Sequence, residues 1–107
     1  MNATLAPPRA LKPRKARHAH ECETLEQLPN IGPSLAADLR RLGIVHPHEL
    51  AGRDALALYH SLCELAGRRQ DPCVLDTFMA AIEFMHGAEP RPWWTYTARR
   101  KAVYGAV

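Results

Sequence analysis

The sequence predicts an all-α fold: a compact five-helix domain over residues 22–87, between a basic arm (1–21) and an extended, tryptophan-containing tail (88–107). Three observations carry this. Apolar residues recur at helical spacing from Leu25 to Met85, and no stretch alternates convincingly enough for a strand. Pro33, Pro47 and Pro72 fall at helix starts, and Gly43, Gly52, Gly67 and Gly87 just past helix ends, as the backbone demands of each residue require.

The arm carries five of the fourteen basic residues and no acid before Glu21, together with three prolines and no apolar stripe. It reads as disordered, either touching phosphates or acting as a solubilising tail. The first helix opens at Thr24, which has capping-box spacing to Gln27, and turns Leu25 and Leu28 toward a core before stopping at Pro29. Pro33 suits the first position of the second helix, whose stripe is Leu35, Ala36, Leu39 and Leu42, with Gly43 just beyond its end. A short third helix starts at Pro47 and ends at Gly52. Asp54 caps the fourth, with Leu58, Tyr59, Leu62 and Leu65 inward and Gly67 closing it. Asp71-Pro72 opens the fifth, whose stripe is Val74, Leu75, Phe78, Met79, Ile82 and Met85, closed by Gly87. Pro90 and Pro92 then force an extended path into Trp93, Trp94 and Tyr96, and residues 98–104 have the makings of one loose helical turn.

Composition narrows the function. No apolar run approaches the roughly 18–20 residues of a membrane helix, and no apolar segment follows the basic N-terminus as a secretory signal would require. The expectation is a cytoplasmic protein with no membrane partner. Three cysteines without a CxxC pair make a disulfide framework a poor reading. All eleven acids lie in residues 21–90 against five arginines, so the body is acidic and both ends are basic. A broad basic platform for nucleic acid is therefore not expected.

The stretch LPNIGPSLAADLRRLGI (28–44) raises the sharpest question. A tight turn that feeds a helix N-terminus aims backbone N–H groups at one point, which is either a structural corner or a seat for an anion. Gly32 can take backbone angles closed to other residues, and Asn30 tolerates the left-handed region better than most. The arrangement resembles the helix-hairpin-helix motif, whose hairpin has the form Leu-Pro-Gly-Ile-Gly. Asn30 stands where the motif has its first glycine, which adds bulk near the anion position. The resemblance implies a DNA phosphate held by N–H groups around Asn30, Ile31, Gly32, Ser34 and Leu35. Ile31 would pin the turn, Ser34 would add a hydroxyl, and Arg40 and Arg41 would reach the next phosphate. Contacts of this kind are to the backbone and largely independent of sequence.

The segment GIVHPHELAGRDALALY (43–59) resembles the connector after the first hairpin of double helix-hairpin-helix domains. The second hairpin should follow, yet Leu62 to Cys73 offers only Gly67, so that copy is degenerate. Residues 24–101 further resemble the small bacterial pathogenicity-locus or mitomycin-resistance-like family, in LPNIG, in the LAG-D-LY connector, in LC followed by DPCVLD, and in the paired tryptophans. What the resemblance implies is a fold of this class and a role in DNA binding, with no established biochemical activity.

The remaining candidates are weighed against plainer readings. Cys63 and Cys73, with His60 nearby, form a thin metal or redox set, since zinc sites need about four ligands. Core thiols are the better reading, although the helix N-terminus at Cys73 leaves room for a lowered thiol pKa. Trp93 and Trp94, beside Arg91 and Arg99, offer a stacking platform for bases. The plainer reading clamps the tail on the core, with one Trp buried and the other partly exposed. Asp38, Asp54, Asp71 and Asp76 read as surface or cap residues. No Ser-His-Asp order, HExxH, phosphate loop or nucleophile elbow is present, so no catalytic residue, metal or cofactor is expected. The leading expectation is non-catalytic, sequence-independent DNA binding. The alternative is a protein–protein adaptor that kept the fold and lost the contact.

Overall fold

The computed structural model describes residues 14–107. The expectation of disorder for residues 1–13 lies outside the described residues. The fold is all-α, with four α-helices among the described residues: α1 (Pro33–Arg41), α2 (Ala55–Ala66), α3 (Pro72–Met85) and α4 (Thr97–Tyr104). Two 3-10 turns precede α1, at Ala19–Glu21 and Leu25–Gln27, and two more lie between helices, at Pro47–Gly52 and Trp93–Tyr96. The first and third of the five expected helices are thus 3-10 turns, too short to close α-helical rings between the prolines and glycines that bound them.

Helix starts follow the sequence chemistry. The Gln27 side-chain oxygen accepts from the N–H groups of Glu23 and Thr24 at 2.8 and 2.9 Å, one half of the predicted capping box. Asp54 accepts from Ala57 N–H, and Asp71 from Cys73 N–H, each at 2.9 Å. Gly43 and Gly67 end α1 and α2 with positive φ, where a Cβ would be strained.

The core gathers Leu25, Leu28, Ile31, Ala36, Leu39, Ile44, Leu50, Leu58, Tyr59, Leu62, Leu75, Phe78 and Phe84, all almost wholly buried. Helix α3 is its axis: it packs against α2, the Pro47–Gly52 turn, the Trp93–Tyr96 turn and α4. Being surrounded, α3 buries Asp76, Thr77, Ala80, Ala81 and Phe84 along with Leu75, Phe78 and Met79 of its predicted stripe, while Val74, Ile82 and Met85 are only partly buried. Leu65, expected inside, is exposed at the end of α2.

Three expectations are corrected here. Asp76 is no surface residue. It is fully buried and accepts from Arg100 Nε and Thr97 Oγ1, both at 2.7 Å, which ties α4 to α3. The tail is accordingly a 3-10 turn running into a two-turn helix, and its buried aromatic is Tyr96; Trp93 is half-buried and Trp94 exposed. Residues 14–21, assigned to the arm, lie on the body: Ala16 is buried and its N–H donates to Gln27 O at 2.9 Å.

Candidate functional site

The hairpin begins where Leu25–Gln27 runs into Pro29. Ile31 N–H donates back to Leu28 O at 3.2 Å and closes the turn. The left-handed residue is Asn30, at φ 68°, the one non-glycine with positive φ among the described residues. Asparagine bears this region better than most because its side chain can bond locally or nearby. Here Asn30 Nδ2 donates to Arg91 O at 2.8 Å, so the residue that bends the hairpin also fastens it to the tail.

Gly32 departs from expectation in an informative way. Its φ is −92° with ψ −176°, extended backbone open to any residue. A Cβ built on it would meet nothing within 4 Å. Neither conformation nor packing inside the chain requires glycine at this position. What glycine provides is a bare, exposed backbone at the start of α1.

The N–H groups there are open. Gly32 is the N-cap residue and has no side chain to cap with; Pro33 has no N–H; the first intrahelical bond is Ala36 N–H to Gly32 O at 2.9 Å. The N–H groups of Gly32, Ser34 and Leu35 find no acceptor among the described residues. Helices α2 and α3 contrast with this, because the Asp54 and Asp71 carboxylates occupy their N-termini. The Cys73 N–H bond holds the Asp71 carboxyl below its ordinary range. Where a second hairpin would have presented its N–H groups, α3 therefore already holds an anion of its own. Among α1, α2 and α3, only α1 has no carboxylate on the roughly half positive charge of its N-terminus.

Lys15, inconspicuous in the sequence, supports this end of the hairpin. The Lys15 ammonium donates to Glu26 O and Leu28 O at 2.9 Å and to Ile31 O at 2.7 Å. A trans peptide points its C=O and N–H in opposite directions. Drawing the Ile31 carbonyl onto Lys15 thus turns the Gly32 N–H outward. Hydrogen bonds in series also polarise one another, which strengthens that N–H as a donor. In the sequence Lys15 is one cation in a basic run, and only the folded chain brings it under three converging carbonyls.

Ile31 is fully buried and pins the turn, Ser34 is exposed beside the open N–H groups, and Leu35 is half-buried against the core. Arg40 is paired with Glu26 through two bonds of 2.9 and 2.8 Å, which hold the Glu26 carboxyl below its usual value. Arg41 lies 3.5 Å from Asp38. Both arginines sit on the exposed side of α1 with carboxylates for neighbours, and neither converges on the hairpin N–H groups.

The thiols differ from one sequence expectation. Burial, and then the Asp71 carboxylate, push the Cys73 thiol up to about 11, the opposite of the lowering considered for a helix N-terminus. The cap carboxylate cancels the helix end before the sulfur can use it. Cys22 is raised to about 11 by burial. Cys63 is half-buried and accepts from Gln70 N–H at 3.3 Å. Among the described residues no three His, Cys, Asp or Glu side chains are grouped to hold a metal ion. No helix among them is long and apolar enough to cross a membrane.

Comparison with known proteins shows the family. Residues 18–102 match the model of the family described as Cdd1, pathogenicity locus. The chain is 43% identical over 79 residues to the mitomycin resistance protein McrB of Streptomyces lavendulae, covering 74% of this chain and 75% of that one. No solved structure gives a significant match. The matched segment starts at residue 18 and takes in the hairpin, all of α1 to α3 and most of α4.

Proposed function

The chain belongs to the pathogenicity-locus family, whose name specifies no reaction, and from its site we propose that it binds DNA through a backbone phosphate, without sequence preference and without catalysis. One observation carries the reading: α1 begins with a bare, exposed Gly32 and three outward N–H groups, whereas α2 and α3 are capped by their own aspartates. A phosphate oxygen is the ligand such an end takes best, since it satisfies the open donors and the helix dipole together. Lys15 supports the reading by orienting the Ile31–Gly32 peptide. The basic residues at the ends add salt-sensitive attraction. From the relative's name only a setting is carried over, resistance to mitomycin.

A second reading, a protein-binding adaptor, is favoured by the pairing of Arg40 and Arg41 with Glu26 and Asp38, which leaves α1 itself no uncommitted cation.

Gly32→Asp separates the two. The backbone at Gly32 accommodates aspartate, which would cap α1 and place a carboxylate where the phosphate should sit. In an anisotropy titration with a labelled duplex, the wild type should bind with an affinity that falls steeply with salt. Gly32→Asp should lose at least tenfold while its melting temperature stays level or rises by a degree or two. Equal binding by both proteins would reject the phosphate clamp and favour the adaptor.

A further inference from the structure

Beside the hairpin lies a cleft of about 630 Å³ between residues 14–17, Pro29-Asn30 and the tail segment Pro90–Trp94. Its described lining includes the guanidinium-bearing side chains of Arg14, Arg17 and Arg91, and no aspartate or glutamate. Trp94 stands at its wall with 62% of its surface open. Its ring meets Trp93 edge-on, at 85° and 5.7 Å, so the two indoles are not stacked on one another. A large exposed indole is costly to leave in water, and the apolar core does not need it, because Tyr96 is the tail residue that the core buries. Cations with an exposed aromatic and no carboxylate make the combination that takes a phosphate and an aromatic base together.

The cleft is also stiff and joined to the clamp. Pro90 and Pro92 fix the backbone on either side of Arg91, and Asn30 Nδ2 holds Arg91 O. The residue that bends the hairpin therefore locates the segment that carries Trp94. The cleft adjoins the hairpin, with Pro29 and Asn30 in its wall.

We infer that this cleft seats an unpaired nucleobase on the Trp94 indole, with flanking phosphates on Arg14, Arg17 and Arg91, so that the preferred ligand is nucleic acid with a single-stranded stretch. This rests on the phosphate-clamp reading, and it narrows the ligand from any duplex to one with exposed bases. A blunt duplex keeps its bases stacked and can reach only the hairpin.

The test uses the full chain carrying Trp93→Phe, so that Trp94 is the fluorophore. It is titrated with a twelve-nucleotide oligothymidylate, a blunt duplex of the same length, and free thymidine monophosphate. The oligothymidylate should quench Trp94 saturably, and Trp94→Ala should weaken its binding by about tenfold, the loss of one stacked base. Blunt-duplex affinity should change less than twofold in Trp94→Ala. Because Trp94 is exposed, that variant keeps the fold, and circular dichroism checks this. Duplex binding without Trp94 quenching by oligothymidylate overturns this inference and leaves the clamp standing. Failure of both nucleic acids to bind removes the clamp as well. Quenching by the monophosphate at the same affinity as by the oligomer overturns the strand and makes the cleft a nucleotide site.

Discussion

The buried ion pair between α3 and α4 yields the sharpest stability prediction. Asp76 has no exposed surface, and Arg100 keeps 10% of its side chain exposed. The carboxylate accepts from Arg100 Nε and Thr97 Oγ1 at 2.7 Å and, more weakly, from the second guanidinium nitrogen at 3.4 Å. Asp76→Ala strips all three donors of their acceptor and leaves a guanidinium uncompensated in a mostly dry site. Breaking such a pair typically costs about 3–5 kcal/mol, and the residual exposure of Arg100 points to the lower end, about 3 kcal/mol. Domains of this size have about 5–10 kcal/mol in total. With a urea slope of about 1.5 kcal/mol/M, the midpoint should fall by about 2 M. Replacing both partners, Asp76→Leu with Arg100→Met, should recover most of that loss, because no charge is then left buried. Urea melts of the wild type, Asp76→Ala and the double variant measure this. A shift below about 0.5 M for Asp76→Ala, or a double variant as unstable as the single, would refute the view that the pair holds the tail.

Lys15→Met should release the three hairpin carbonyls and cost about 1–2 kcal/mol, less than three buried charged bonds because Lys15 is largely exposed. Amide exchange at Ile31 should then quicken by about tenfold, and unchanged exchange would show that the ammonium does not hold the turn. Cys22 and Cys73, each moved from 9.0 to about 11, should alkylate about a hundredfold more slowly at pH 8 than an unhindered thiol. The folded state keeps these protons where the unfolded chain releases them, so their contribution to stability is intact below pH 9 and is lost as the pH rises through about 11. Iodoacetamide labelling rates and a melt series from pH 8 to 11 check the two halves of that prediction.

Much of this molecule is legible in its sequence, for local reasons. Asp54 and Asp71 cap the helices they precede, Gly43 and Gly67 end helices with positive φ, and LPNIG forms a turn into a helix, because each depends on residues within one turn of chain. What the sequence conceals depends on distant partners. Asp76 looks like any acid on a helix until Arg100, 24 residues on, is brought against it. Lys15 looks like one cation in a basic arm until three carbonyls from residues 26–31 converge on it. Gly32 and Asn30 both suit an unusual backbone angle, and only Asn30 adopts one, because the motif position alone does not tell which of the two bends the turn. The tail misled for a related reason: tryptophan is the larger apolar residue, yet Tyr96 lies on the face of the Trp93–Tyr96 turn that meets α3.

The central claim is that the open N–H groups of Gly32, Ser34 and Leu35 take a phosphate, and amide chemical shifts read those groups directly. In a nitrogen–proton correlation spectrum of the full chain titrated with a short duplex at low salt, these three amides should move furthest. They should saturate together, and their shifts should collapse on adding salt. If they stay still while the shifts gather elsewhere, the hairpin is a structural corner and the phosphate clamp fails; if no amide moves at all, the DNA-binding reading fails with it.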